Sequence, residues 1–318
     1  SSTVDTNGSS YGLTATTASN AHTIFNGKVG NGHALKSISV SAGLTTINTD
    51  TITTTGAQTY AGAVTLTSDA VLTTGGSSGQ NISFGSTING GAANTYSLTL
   101  NTGGAGTVSV SGIVGATTLK TLTIANSGGT TFSSAVTTGT SVVLTNSSGT
   151  IAFNDVLTTP TLTVTAGAYN LSLLGNSTAI TNAVTFNNTG TLTLGSGTSS
   201  QTFSDGFIAT APSTIYLAGT LIGGNDITIG AASYGISLNA DTTIDTHAAN
   251  KAIALNGAVT GNSHSLILNA GTGSASVAGM SGLTSLSTSA SGITLNGNIT
   301  TTGTQPYSGA VTLTGDAT

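Results

Sequence analysis

The chain has 318 residues, of which only 4% are charged, and its formal net charge at pH 7 is −5. Its four basic residues are lysines, so nucleic-acid phosphates lack their usual bidentate arginine partner, and the acidic balance disfavours binding to polyanions. The absence of cysteine excludes disulfides, thiolate metal sites and thiol nucleophiles.

Threonine, serine and glycine dominate the composition, with 66 Thr, 41 Ser and 45 Gly accounting for 152 of the 318 residues. Strong helix formers are rare and Gly and Thr both disfavour helix, so the composition predicts an all-β protein. Apolar residues still make up 37% of the chain, which is enough for a patterned core. No apolar run approaches the ~18 residues of a membrane-spanning helix, so we expect no membrane span.

Short triplets of the form apolar–polar–apolar follow one another along the chain. Their period of two predicts short strands with one buried face, and clusters of Gly, Asn and Ser separate them. One series of triplets begins at Val64, Ile82, Leu98, Leu122, Val142, Leu162 and Val184. A second, interleaved series begins at Leu72, Ile88, Val108, Phe132, Ile151, Leu171 and Leu192.

Both series advance by about 20 residues per step, and this period predicts a parallel β-helix, or β-solenoid, with about 20 residues per turn. A sandwich or barrel also places a strand about every 8–12 residues, but its strands do not recur at a constant spacing of about 20 residues throughout the chain. A single turn buries too little apolar surface to offset the entropy of ordering its backbone. The turns are therefore expected to fold only when stacked.

The same alternation predicts which side chains fill the core. We expect Thr123 and Thr163 to point outward, because each separates two apolar residues of one strand. The side chains expected to point inward are Leu122, Ile124, Leu162, Val164, Val184 and Phe186.

The sequence also contains a repeat that is longer than one turn. Residues 58–70 recur as residues 305–317, an offset of 247 residues, and a weaker copy occupies residues 201–206. The repeat restarts near residue 305 and breaks off at Thr318. We therefore expect residues 1–318 to be a single continuous β-solenoid segment of a longer repetitive chain, working as one unit of a fibre whose end turns dock on other turns.

Two sequence segments resemble those of a known protein family. TTTGAQTYAGAVTLTSDA, at residues 53–70, and FNGKVGNGHALKSISV, at residues 25–40, resemble the β-strand repeats of filamentous-haemagglutinin-type adhesins. Large exported bacterial surface proteins with Thr/Gly/Asn-rich repeats are similar. The resemblance implies a right-handed parallel β-helix in an extracellular, adhesive or fibrous protein of the bacterial cell surface. No functional residue of the family can be carried over to this sequence.

Acidic side chains are the first candidates for a metal or catalytic site, and they are scattered along the chain. Asp241 and Asp245 are close in sequence and His247 follows them, so a hard-cation site is one interpretation there. A solvated turn is the other interpretation, and the one we favour, because glycosidases and metal sites need paired or clustered carboxylates. The nine aspartates are Asp5, Asp50, Asp69, Asp155, Asp205, Asp226, Asp241, Asp245 and Asp316.

Three further patterns have a structural and a functional interpretation. Gly223-Gly-Asn-Asp226-Ile-Thr-Ile229 is similar to a calcium-binding Gly/Asp nonapeptide, but it occurs once and favours a plain turn. His33 and His264 follow matching Asn-Gly motifs, and a repeated position favours a structural role. Tyr60 and Tyr307 occupy equivalent repeat positions, which favours packing over stacking on sugars. The remaining histidines are His22 and His247.

We expect a structural segment of an extracellular bacterial fibre or giant adhesin, a stiff rod for surface display, adhesion or filament formation. It is expected to have no catalytic, cofactor-binding or metal-binding residues, no cofactor and no enzymatic activity. The expected partners are the chain itself, end to end or by continuation of the same polypeptide, and a host or matrix surface. Nucleic acid and membrane spans are not expected.

Two other functions remain as alternatives. A polysaccharide-degrading β-helix enzyme needs clustered acids together with Arg or Lys. This sequence does not supply such a cluster. An ice-binding solenoid presents Thr-x-Thr on one flat face in every turn. The pairs of this kind are Thr65/Thr67, Thr121/Thr123, Thr161/Thr163, Thr191/Thr193 and Thr312/Thr314.

Overall fold

A computed structural model describes residues 3–16, 18, 21–41, 43–77 and 79–315 of the chain. Within these residues the protein is all-β with no helix, and its parallel strands stack as a β-solenoid of about 14 turns with roughly 21 residues per turn. The predicted fold class and period are confirmed. The right-handed sense and the single continuous segment stay predictions. The chain divides into two compact units, Ser1–Thr163 and Val164–Thr318.

The first unit consists of short strands, most of three or four residues. They are β1 (Leu13–Ala15), β2 (His22–Phe25), β3 (Ile38–Val40), β4 (Leu44–Ile47), β5 (Thr51–Thr53), β6 (Gln58–Tyr60), β7 (Val64–Leu66), β8 (Ala70–Thr73), β9 (Ile82–Phe84), β10 (Ile88–Gly90), β11 (Leu98–Asn101), β12 (Val108–Val110), β13 (Val114–Asn126), β14 (Thr130–Phe132), β15 (Val136–Leu144), β16 (Thr150–Phe153) and β17 (Leu157–Thr159). The strand β18 (Thr161–Gly167) contains the division between the units.

Three inward columns of side chains form the core of the first unit, because strands of successive turns pair in parallel and in register. The first column is largely aromatic and contains Val40, Tyr60, Phe84, Val110, Phe132 and Phe153. The second contains Val64, Ile88, Val114, Val136 and Leu157. The third contains Ile52, Leu72, Leu100, Ile124 and Leu144. All of these side chains are buried. Because apolar side chains of neighbouring turns stack on one another, each turn covers the apolar surface of the next.

The columns show which of the sequence triplets stack on one another. Leu98, Leu122 and Val142 do stack on one another, as the first series predicts. Val64 and Ile82, by contrast, lie in two other columns, because a turn contains three strands of the same pattern. The predicted period is confirmed, and successive triplets at this spacing can lie on different sides of the solenoid.

The second unit repeats this construction. Its strands are β19 (Asn170–Leu173), β20 (Thr178–Ile180), β21 (Val184–Asn188), β22 (Thr191–Leu194), β23 (Ser200–Phe203), β24 (Phe207–Ala209), β25 (Thr214–Gly223), β26 (Ile227–Ile229), β27 (Gly235–Asp245), β28 (Ile253–Leu255), β29 (Val259–Thr260), β30 (Leu266–Asn269), β31 (Ser274–Leu283), β32 (Leu286–Thr301) and β33 (Tyr307–Leu313). One of its core columns contains Leu171, Leu192, Ile215, Ile236, Val259, Met280 and Ile299.

The predicted orientation of the core side chains is confirmed. All six side chains predicted to point inward are buried, including Leu162 and Val164, whereas Thr163 between them is exposed. Thr123 is half-buried on the outer surface. The alternation works as a predictor here because a shift of one residue would move every apolar side chain of a strand to the solvent side.

Candidate functional site

The three residues suggested for a hard-cation site do not converge. Asp241, on β27, accepts a hydrogen bond from the backbone N–H of Ser265 at 2.8 Å, and its Oδ1 lies 3.8 Å from Nδ1 of His264. Asp245, at the end of the same strand, accepts hydrogen bonds from the backbone N–H of His247 at 2.9 Å and pairs with its Nδ1 at 2.7 Å. The structure thus places Asp241 and Asp245 in two separate Asp–His pairs.

An open groove of about 480 Å³ lies beside the first of these pairs. Asp241 and His264 line it together with hydroxyl side chains, among them Thr198 and Thr220, and the exposed Ile267. A single carboxylate in such a groove does not form the two-carboxylate arrangement of a glycosidase. Among the residues that the structure describes, no group of three or more His, Cys, Asp or Glu side chains is placed to hold a metal ion.

Several aspartates and asparagines instead bridge successive turns. Asp226, in the Gly/Asp motif, accepts a hydrogen bond from the backbone N–H of Ala252 at 2.9 Å, one turn further along the chain. Asp69 does the same with the N–H of Ser97 at 2.8 Å. The equivalent bonds made by asparagines run from Thr107 to Asn81, from Ser200 to Asn176 and from Thr272 to Asn250. We call these contacts inter-turn caps, because each satisfies a backbone donor where a strand of the next turn begins.

The inter-turn caps predict that the charge of Asp226 is dispensable. Asp226→Asn keeps the Oδ1 acceptor, so its free energy of unfolding is expected to stay within ~0.5 kcal/mol of the parent. Asp226→Ala leaves the Ala252 N–H without its acceptor and is expected to lower the free energy of unfolding by about 1 kcal/mol. Urea unfolding followed by circular dichroism measures both. A large loss in the Asn variant, or a calcium-dependent stability of the parent, would contradict the purely structural role.

The remaining candidates have individual surroundings. Lys28 and Asp50 form an exposed ion pair at 3.3 Å, and a hydrogen bond from Thr51 holds the pKa of the Asp50 carboxyl below its usual value. His22 lies 2.6 Å from the Thr46 hydroxyl. His33 is exposed. Asp316 lies outside the described residues.

The two repeat-equivalent tyrosines make the same polar contact. The Tyr60 hydroxyl donates to Oε1 of Gln58 at 3.0 Å, and the Tyr307 hydroxyl donates to Oε1 of Gln305 at 2.9 Å. Tyr60 is fully buried and stacks on Phe84, with 5.1 Å between ring centroids and 14° between ring planes. The prediction that this position serves packing is confirmed for Tyr60, and the Gln–Tyr contact is a feature that the sequence analysis missed.

Buried tyrosines predict a loss of stability at alkaline pH. Burial raises the pKa of Tyr169 from 10.0 to about 12 and raises that of Tyr60 further. Because the unfolded chain ionises first, the free energy of unfolding should be unaffected below about pH 10 and fall between pH 10 and 11, by about 1 kcal/mol for each tyrosine. Urea midpoints at pH 9, 10 and 11 measure the fall. Tyr169→Phe should reduce it, and an equal fall in that variant would contradict the assignment.

The Thr-x-Thr pairs do not form one stacked face within either unit. In the first unit, Thr65 lies in register with Asn89, whereas Thr123 belongs to the column of β11 and β15. In the second unit, Thr193 is followed in register by Tyr216. These contacts leave the outward threonines distributed over several sides of the solenoid.

The described residues contain no helix that is long and apolar enough to cross a membrane. Comparisons of the chain with protein-family models, with curated proteins and with solved structures gave no match.

Proposed function

We propose that this chain is a structural segment of an extracellular bacterial fibre or large surface adhesin, with a mechanical role. The observation that carries the proposal is that Asp226 and Asp241, two of the side chains suggested for chemistry, hold successive turns together. Asp226 and Asp241 both accept backbone N–H groups of the following turn, and Asp245 is paired with a histidine two residues away.

The low charge supports the same function. A solenoid built from backbone ladders, inter-turn caps and apolar columns needs few ion pairs, and its outer face stays soluble through Thr and Ser hydroxyls. Most strands of the described residues pair in parallel with strands of the turns before and after them, and this pairing supports stiffness along the stack. The adhesive surface and the extracellular location belong to the proposal and rest on the sequence resemblance.

Electron microscopy of the native material tests this function. Filaments or rods at the cell surface, labelled by an antibody against this chain, are the expected result. Native material that is monomeric and intracellular, with no label on any filament, would contradict the proposed role.

A second candidate, ice binding, is favoured by one observation on the first unit. Small outward hydroxyl side chains stack in register over successive turns, and Ser83 donates to the Thr59 hydroxyl at 3.3 Å. The column contains Thr14, Ser39, Thr59, Ser83, Ser109 and Thr131. A thermal-hysteresis assay decides this candidate: a freezing gap that Thr59→Lys removes would support it, and no gap would exclude it.

A further inference from the structure

The open groove of about 480 Å³ in the second unit lies across four successive turns. Thr220, Thr243 and Ile267 line it from β25, β27 and β30, where they lie in register on the outer surface. Thr198 lines it from the preceding turn. Three inter-turn steps of ~4.8 Å make the groove about 14 Å long, so its shape suits a short segment of a linear molecule.

Glycines leave part of the groove without side chains. Gly197 and Gly219 line it in successive turns, and both have a positive φ, of 50° and 72°. A Cβ at Gly219 would lie 2.2 Å from the carbonyl oxygen of Ser199, so this position requires glycine. A Cβ at Gly197 would have no atom within 4 Å, so a side chain there would enter free space in the groove.

The polar side chains that line the groove are only partly engaged. Oδ1 of Asp241 accepts the N–H of Ser265, but its Oδ2 has no hydrogen-bond partner among the described residues, and the side chain is 78% exposed. The hydroxyls of Thr220 and Thr243 likewise make no side-chain hydrogen bond within the part of the chain that the structure describes. A carboxylate accepts hydrogen bonds and a hydroxyl both donates and accepts them, so these groups suit a ligand rich in hydroxyls.

Ile267 adds an apolar contact in the last of the four turns. It is 43% exposed in an outward column whose other members are polar, namely Ser200, Thr220, Thr243 and Ser287. The groove therefore presents aliphatic surface and hydrogen-bonding groups side by side. A sugar ring has the same two kinds of surface, with C–H groups on its faces and hydroxyls around its edge, so the lining favours a carbohydrate.

Charge and backbone pairing narrow the class of ligand further. Asp241 lines the groove and no lysine among the described residues does, so a carboxylate or sulfate group on the ligand would be repelled. A peptide that binds as an added strand needs a free sheet edge, but β25, β27 and β30 pair with strands on both sides. A neutral carbohydrate meets neither obstacle.

We propose that this groove binds a segment of a neutral, unbranched polysaccharide. Hydroxyls of the ligand bond to Oδ2 of Asp241 and to the threonine hydroxyls, and one sugar ring packs on Ile267. The ligand is bound and released unchanged, because a glycosidase needs a second carboxylate and the described lining contains one. The proposal rests on the proposed function, since it names the adhesive surface of the fibre and the class of molecule to which the fibre attaches.

Calorimetric titration of the whole chain with four hexasaccharides tests the proposal. Saturable binding of at least one neutral probe (cellohexaose, mannohexaose or chitohexaose) is expected, with at least ~10-fold weaker binding of hexagalacturonate. Asp241→Asn keeps the Oδ1 acceptor for Ser265, and Ile267→Thr matches the residue type of its column, so both should fold and weaken binding at least ~5-fold. Gly197→Asn, which tolerates a positive φ and fills the groove, should weaken binding at least ~10-fold.

Two matched controls lie in the first unit. Asp69→Asn repeats the charge change at a cap that also accepts a backbone N–H at 2.8 Å. Gly79→Asn repeats the added side chain at a glycine that also has a positive φ and no atom within 4 Å of the added Cβ. The affinity of both controls should stay within ~2-fold of the parent.

Four results would overturn the proposal: no binding of any neutral probe, tighter binding of hexagalacturonate, shortening of a bound probe, or equal weakening by groove and control variants. Filaments at the cell surface together with any of these results would overturn the groove assignment and leave the fibre function standing. Binding of a neutral probe by a chain that is monomeric and intracellular in the native material would do the reverse, so the two failures are distinguishable.

Discussion

Leu162→Asp is expected to destabilise the fold by at least about 3 kcal/mol, because it places an unpaired charge in an apolar column and removes a buried side chain. Leu162 is 3% exposed and lies between Thr161 and Thr163 on β18. All four lysines are exposed, so none lies in an apolar column as a partner for the new charge. Urea unfolding followed by circular dichroism gives the free energy of unfolding.

The matched control is Thr163→Asp, one residue along the same strand. Thr163 is exposed, so the same charge there stays hydrated and is expected to change the free energy of unfolding by no more than ~0.5 kcal/mol. Equal stability of the two variants, or a larger loss for Thr163→Asp, would show that the register of β18 is wrong.

Tyr60→Phe is expected to cost about 1–3 kcal/mol, because it leaves Oε1 of the buried Gln58 without its donor. Gln58 is itself held by its Nε2, which donates to the Thr73 carbonyl at 2.8 Å, so it cannot turn away freely. The control is Tyr307→Phe, which removes the same hydroxyl from a half-buried layer where water can replace it. Its cost should be under ~1 kcal/mol in the same urea experiment.

The chain contains a natural version of the Tyr60→Phe change. The weaker repeat copy has Gln201 and Phe203 where the first copy has Gln58 and Tyr60. Gln201 donates through Nε2 to the Leu173 carbonyl at 2.7 Å, but its Oε1 is buried and has no hydrogen-bond partner. A double-mutant cycle between Gln58→Leu and Tyr60→Phe should therefore give a coupling energy of ~1 kcal/mol or more, and independent effects would contradict the contact.

Single-sequence reasoning succeeded where local alternation and burial determine the structure. The strand around Leu162 and Val164 needs no knowledge of its neighbours, because the apolar residues are fixed on one face by the period of two. Which triplets share a column could not be predicted, and Val64 and Ile82 lie in different columns, because every strand of a turn has the same pattern. Only the lengths of the loops between strands decide which side of the solenoid each strand occupies.

The candidate site was harder to predict for a related reason. Asp226 and the backbone N–H of Ala252 are 26 residues apart in the chain, and they meet only because β26 and β28 pair in a particular register. Sequence proximity instead offered Asp241, Asp245 and His247 as one interpretation of a cation site, beside the favoured interpretation of a solvated turn. A local pattern of acids in a solenoid is thus a poor guide to contact, since an aspartate's nearest partner is often one turn away.

The stacked register is the claim on which the proposed mechanical role depends, and a pair of spin labels measures it most directly. The chain has no cysteine, so Thr14→Cys and Thr131→Cys, both exposed, can be labelled specifically. These positions lie in one outward column, five inter-turn steps apart, which at ~4.8 Å per step predicts about 24 Å between them. A narrow distance distribution near that value, broadened by the label linkers, is the predicted result of a double electron–electron resonance measurement. A distribution spread over the whole measurable range, or a narrow peak far from that distance, would contradict the parallel stack.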